Sequence, residues 1–229
     1  MKATVDGAVR LDQAWDDLHA LPRYRPAYPS ESVVRFVARR LGRPAEDPLA
    51  SPKRVLDMGC GAGRHLALLA DAGHDVVGSD YSRAGLVHTR GHQGGRTGAL
   101  AQAPMQALPF PDGTFDAVVA WGVVNYATPE GLQAAVDELQ RVLRPGGAGL
   151  VVTRGTADGR YGHGREIDRH SFIIDPGYTN ESGMVMTFLD RHDIDRVFAA
   201  WSIVQVDHIH HTDGGGAVVN DDWVIEVTA

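Results

Sequence analysis

Cysteine is almost missing from this chain. Cys60 is the only one among 229 residues, so no internal disulfide is available. Also missing are an apolar run of membrane-spanning length and a charged N-terminal segment followed by an apolar core. The expectation is therefore a cytoplasmic protein with no membrane partner. Nor is there an excess of basic charge: 29 acidic residues stand against 22 basic ones, a net charge of −7. That balance repels a phosphate backbone and makes nucleic acid a disfavoured partner. Aromatic residues are few, at 7% of the chain, whereas glycine is plentiful at 27 residues. The length suits one domain with a single buried core.

Prolines 22, 26, 29, 44, 48 and 52 punctuate the first 52 residues, leaving room for one regular element between them. "SESVVRFVARRLG" predicts a helix with Ser30 as N-cap, apolar Val33, Val34, Phe36, Val37 and Leu41 at helical spacing, and Gly42 as its stop. From Lys53 onward the pattern alternates. "RVLDMG", "DVVGSD", a short run at 99–103, "TFDAVVAWG" and "AGLVVT" read as strands, with "RHLALLADAG", "SRAGLVHTRG" and "TPEGLQAAVDELQRVLRPGG" as helices among them. Such alternation predicts βαβ units on a parallel sheet. Residues 154–187 are rich in Gly, Arg, His and Asp and have no sustained period, which suggests a mobile cover over a substrate. In 188–229, "LDRHDIDRVFAAW" reads as a helix capped by Asp190, and "SIVQVDHIH" and "DWVIEVT" as an antiparallel pair. One domain thus divides into an N-terminal cap (1–52), a core (53–153), a lid (154–187) and a C-terminal helix and β-hairpin (188–229).

The stretch "VLDMGCGAGRH" carries Gly59, Gly61 and Gly63 directly after the first strand. Bare backbone there lets a ligand approach where a Cβ would collide. A dinucleotide fingerprint would place its third glycine at position 64, which is Arg64. Asp80, closing the second strand, suits the two hydroxyls of a ribose. Asp57, closing the first, adds an acceptor for the loop amides or for an ammonium group. The ligand so described has a ribose and a cation but no pyrophosphate.

With these residues, and with "VVGSDYS", "ALPFPDGTFDAVVAWGVVNY" and "LQRVLRPGGAGLVVT" following in order over residues 53–153, the chain resembles the class I S-adenosylmethionine-dependent methyltransferases of the small-molecule type. The resemblance implies a Rossmann-like α/β sandwich around a seven-stranded, mostly parallel sheet whose last strand is antiparallel. It implies S-adenosylmethionine as cofactor and methyl transfer to an O, N, S or C atom of a small molecule, as in secondary metabolism. Gly59, Gly61 and Gly63 would lie under the methionyl part and Asp80 would hold the ribose. Tyr81 would lie beside the adenine, and Trp121 near the cofactor's amino group. Family members often carry an acid where this chain has Pro104, which leaves the Met105 amide and the Gln106 side chain to meet the adenine. Tyr24 and Arg25, in "RYRPAYPS", would close over the cofactor.

For catalysis the candidates are Tyr126, in the loop after the fourth strand, and His163 and His170, in the lid, since imidazole titrates near neutrality. A solvated loop histidine is the alternative for each. His208 and His210 in "HIHH" would share a strand face, yet two ligands make no closed site without partners that the sequence does not show, so no metal is expected. Cys60 reads as a small buried residue in a tight turn. Two alternatives stand beside the methyltransferase reading: a non-catalytic S-adenosylmethionine-binding protein and a nicotinamide-dependent oxidoreductase.

Overall fold

The computed structural model describes residues 6–92 and 98–229, so the first five residues of the expected N-terminal cap lie outside the description. The chain begins with a helix that proline spacing did not suggest, α1 (Leu11–Ala20). Leu11, Ala14, Trp15 and Leu18 recur every three or four residues along it and turn to the interior. After it comes α2 (Glu31–Phe36), which runs on through a π-helical turn, Val37–Leu41, and stops at Gly42 with φ 77°. Ser30 stands at the N-cap without capping; its Oγ pairs with Ser32 Oγ at 3.0 Å.

The alternating core follows as expected: β1 (Arg54–Met58), α3 (Arg64–Asp71), β2 (Asp75–Asp80), α4 (Arg83–His92), β3 (Leu100–Gln102), β4 (Phe115–Trp121), α5 (Pro129–Val142) and β5 (Leu143–Arg154). Thr128 caps α5 by accepting from the Gly131 amide, ahead of a proline at the first helical position. β5 begins earlier than "AGLVVT" because Leu143 already pairs with Phe115, and the register then slips before Ala117 meets Ala148.

Residues 154–187 depart from expectation. Instead of an irregular mobile cover they form a second sheet of three antiparallel strands, β6 (Gly164–Asp168), β7 (Ser171–Ile174) and β8 (Val185–Thr187). Strands of three to five residues are too short to print a period on the sequence. The chain closes with α6 (Arg191–Val197), held by a capping box between Asp190 and Asp193, and the hairpin of β9 (Ser202–Thr212) and β10 (Val218–Thr228).

The main sheet has seven strands in the order β3-β2-β1-β4-β5-β10-β9. β1, β2, β3, β4 and β5 are parallel, and β10 is antiparallel to both β5 and β9, as the resemblance implied. Alternation along β1 sends Leu56 and Met58 into the core under α5 and α6, and Val55 into the core under α2 and α3. Asp57 shares the face of Val55. A third core joins Phe172, Ile174, Met186 and Phe188 of the second sheet to Tyr126 and to α1. No helix among the described residues is long and apolar enough to cross a membrane.

Candidate active site

Gly59, Gly61 and Gly63 all have positive φ, at 72°, 51° and 86°, so the loop between β1 and α3 takes a path that side chains disfavour. It hangs from β2: the amides of Gly59 and Cys60 donate to the Ser79 carbonyl at 2.7 and 3.0 Å. Asp80 fastens it further, taking the Gly61 amide on Oδ2 and the Ser82 amide on Oδ1, each at 2.7 Å. Burial pushes the Asp80 carboxyl up, and the two amides and the His19 ring work against that rise. A carboxylate offers about four acceptor sites, so Asp80 keeps capacity for further donors. Cys60 is buried, and burial together with Asp80 and Asp57 pushes its thiol well above the usual range, leaving it inert.

Asp57 is 1% exposed and neither carboxylate oxygen has a hydrogen-bond partner. Nδ1 of His65 lies 3.9 Å from its Oδ1. His65 Nε2 in turn accepts from the Ser30 amide at 3.3 Å. A buried charge without donors is costly, and here it sits at the strand end beneath the glycine loop.

The residues around the loop come from several elements. Trp121, at the end of β4, donates from Nε1 to Ser32 Oγ at 3.2 Å, and the Arg64 guanidinium lies 4.4 Å from its ring. From α1, Asp16 accepts from the Ser82 hydroxyl and the Ala84 amide at the start of α4. His19 bonds Ser82 Oγ at 2.9 Å, and a Cβ on Gly61 would come within 3.2 Å of its ring. Sequence reasoning missed Asp16 and His19 because it missed α1, although the spacing of its apolar residues was the available signal. Arg25 donates to the carbonyls of His19 and Ala20 and meets His88 Nδ1 at 3.1 Å, so it ties the end of α1 to α4. Tyr24 donates to Asn180 Oδ1 at 2.7 Å, which links the cap to the second sheet. Tyr81 follows Asp80 and is 41% exposed. Met105 packs against the core under α5, and Gln106 lies beside Gly131.

The three catalytic candidates are not gathered at one point. Tyr126 is buried and donates to Glu181 Oε1 at 3.2 Å. Burial, and then the Glu181 charge, push its phenol well up. His163 is exposed and stacks on Tyr178 with ring centres 4.1 Å apart. His170 has φ 59° and places Nδ1 3.1 Å from Asp193 Oδ2. Both histidines serve the second sheet and its junction with α6 in their ring contacts.

A family model described as a methyltransferase domain matches residues 55–147, the span that holds the glycine loop, Asp80 and Trp121. Over these residues the chain is similar to methyltransferase domains. Among curated proteins, the demethylmenaquinone methyltransferase of Thermus thermophilus is 38% identical over 107 residues, covering 44% of this chain and 47% of its own length. The malonyl-[acyl-carrier protein] O-methyltransferase of Legionella pneumophila is 35% identical over 154 residues, covering 60% of this chain and 53% of its own length. The chain thus spans about half the length of these relatives. Among solved structures, a SAM-dependent methyltransferase from Methanosarcina mazei superposes with a TM-score of 0.67 at 21% identity, over 79% of this chain and 93% of that one. It shows the same fold.

The residues of the matched span suit S-adenosylmethionine, the cofactor that the resemblance implies. The two unpartnered oxygens of Asp57 call for a cation or for donors, which a ligand with an ammonium and a sulfonium supplies. The positive-φ glycines leave the loop free of side chains beside that carboxylate.

Proposed function

We propose that the chain transfers a methyl group from S-adenosylmethionine to an O, N, S or C atom of a small molecule, as a single cytoplasmic unit. The observation that carries this reading is the buried, unpartnered carboxylate of Asp57 under the glycine loop, one strand away from Asp80. On this reading Gly59, Gly61 and Gly63 lie under the methionyl part, Asp57 meets the cationic end and Asp80 holds the ribose hydroxyls. Tyr81, the Met105 amide and Gln106 border the adenine, and Trp121 borders the amino group. Tyr24 and Arg25 act indirectly, by fixing the cap to the second sheet and to α4. The names of the two curated relatives support a methyl acceptor but are theirs alone. Inclusion of the flanking segments in one unit rests on α1, which packs on α4 and on the second sheet's core.

The bound cofactor supplies an electrophilic methyl on sulfur. Methyl transfer requires the chain to hold the acceptor in line and to keep water out. Orientation of this kind contributes up to about 7–11 kcal/mol, whereas a general base adds about 10²–10⁴ in rate. Tyr126 with its raised phenol, exposed His163 and Asp193-bound His170 favour an acceptor whose nucleophilic atom needs no strong base. The role left to Tyr126 is to position, through its bond to Glu181, the wall shared by α1 and the second sheet.

Calorimetry with S-adenosylmethionine, S-adenosylhomocysteine and NAD, followed by a transfer assay on a panel of amines, thiols, carboxylates and phenols, tests the reading. The first two ligands should bind and NAD should not. Asp80→Asn should lose about 1.5–3 kcal/mol of binding, the worth of a hydrogen bond to a charged group. Binding of NAD alone would establish the oxidoreductase alternative, and cofactor binding without turnover on any acceptor the non-catalytic one.

A further inference from the structure

On the hairpin, β9 and β10 pair His208 with Trp223 and His210 with Asp221. Alternation places all four side chains on one face of the sheet. His208 Nε2 and His210 Nε2 are 3.3 Å apart, and His210 Nε2 is 3.0 Å from Asp221 Oδ1, which His208 Nε2 also meets closely. Asp221 is 0% exposed. Its Oδ2 accepts from the Ala157 amide at 2.8 Å, while its Oδ1 faces both rings without forming an aligned hydrogen bond to either.

We propose that His208, His210 and Asp221 form a binding site for a divalent zinc ion. Two imidazoles and one carboxylate suit zinc, with bond lengths of about 2.0–2.2 Å and a tetrahedral arrangement. In such a tetrahedron neighbouring ligand atoms lie about 3.3 Å apart. The Nε2 pair and the His210–Asp221 pair already have that spacing, and a small opening of His208 from Asp221 completes it. Three protein ligands leave one position for water. The rings are reached from solvent, since the side chains of His208 and His210 are 36% and 46% exposed and β9 is the edge strand.

The surroundings hold the ligands in place, as metal sites require. His208 stacks on Trp223 with ring centres 3.7 Å apart and planes at 8°, and Trp223 Nε1 donates to the Leu189 carbonyl at 2.8 Å. The second oxygen of Asp221 is bonded by Ala157, and its carbonyl accepts from Gly155, where a side chain would overlap the carboxylate. Gly155 and Ala157 open the segment that leads from β5 into the second sheet. The ion would therefore pin the hairpin to the root of that sheet. The proposal is independent of the methyltransferase reading.

The test uses full-length protein stripped with a chelator and titrated with zinc chloride alone by calorimetry, and with Co²⁺ by visible absorption. One equivalent should bind, Co²⁺ should give the band of a tetrahedral site, and zinc should raise the thermal midpoint. Loss of an outer-shell partner costs about 10–100-fold in metal affinity, so His208→Ala and His210→Ala, removing ligands, should each weaken binding about 100-fold or more. His192→Ala, at an exposed position on α6, should not change it. Because both ligand histidines are partly exposed, circular dichroism should show the variants folded. Absence of binding, unchanged binding in the His208→Ala/His210→Ala double variant, an equal response to Mg²⁺, or loss of binding in His170→Ala would each overturn the proposal.

Discussion

Asp57 and His19 are two residues near the glycine loop whose burial bears directly on stability. Asp57 is buried with neither carboxylate oxygen hydrogen-bonded, an arrangement that costs stability. Asp57→Asn keeps the shape and removes the charge, so it should raise the thermal midpoint of the free protein. The same change should remove most of the upward shift that S-adenosylmethionine produces, as scanning calorimetry would show. A lowered midpoint without ligand would mean that Asp57 has a structural partner. His19 is buried, and burial lowers its pKa against the pull of Asp80 and Asp16. The unfolded chain, with an imidazole near 6.5, about the unperturbed value, therefore takes the proton first as pH falls. Its contribution to stability is present above about pH 6.5 and is lost as pH falls through the lower folded value. Urea unfolding from about pH 8 down to about pH 5 should show a decline that is shallower in His19→Gln, with the remainder carried by other buried histidines such as His74. Both residues were approached differently by the sequence. Asp57 was legible because it closes an apolar strand before a glycine loop, whereas His19 belonged to a helix that the proline pattern hid.

Among the elements, one arginine ties the connection between β7 and β8 to the segment after β5 and to β10. Arg160 grips both oxygens of Asp158 at 2.7 Å, reaches Glu181 at 3.0 Å and Asn220 at 2.9 Å, and its side chain is 9% exposed. Its pKa rises because Asp158 and Glu181 outweigh the cost of burial. Arg160→Met would leave the buried Asp158 and the partly buried Glu181 without this cation and should destabilise the fold by about 3–5 kcal/mol, measured by urea unfolding. A loss below about 1 kcal/mol would show that the cluster behaves as a surface pair. Arginine-rich composition alone does not separate these residues, yet Arg160 is internal and Arg169 binds Asp190 and Asp193 at the capping box of α6. Partners 21 and 60 residues away leave no local signature.

At the scale of the whole molecule, α1 joins the cofactor loop to the second sheet. Asp16 and His19 reach the start of α4, while Trp15 meets Tyr126 edge-on at 4.9 Å. Removing residues 1–20 would uncover the apolar side of Tyr126, Phe172, Met186 and Phe188. The shortened chain should bind a hydrophobic dye more strongly, melt at a lower temperature and lose affinity for S-adenosylmethionine. An unchanged midpoint would show that α1 is only a surface attachment.

The alternation from β1 to β5, the antiparallel hairpin and the ligand class of the glycine loop could all be read from residues 53–153 and 202–228 before any coordinates. In those stretches period, caps and turn glycines are local, and each agrees with the topology around it. Tertiary contact was needed for the second sheet, for the closure of α1 over the loop, for the withdrawal of Tyr126 and His170 into partnerships with Glu181 and Asp193, and for Asp221 behind His208 and His210. These depend on strand register and on which faces of separate elements meet. A carboxylate one residue out of register would point to the opposite side of the sheet, and no spacing along the chain records that choice.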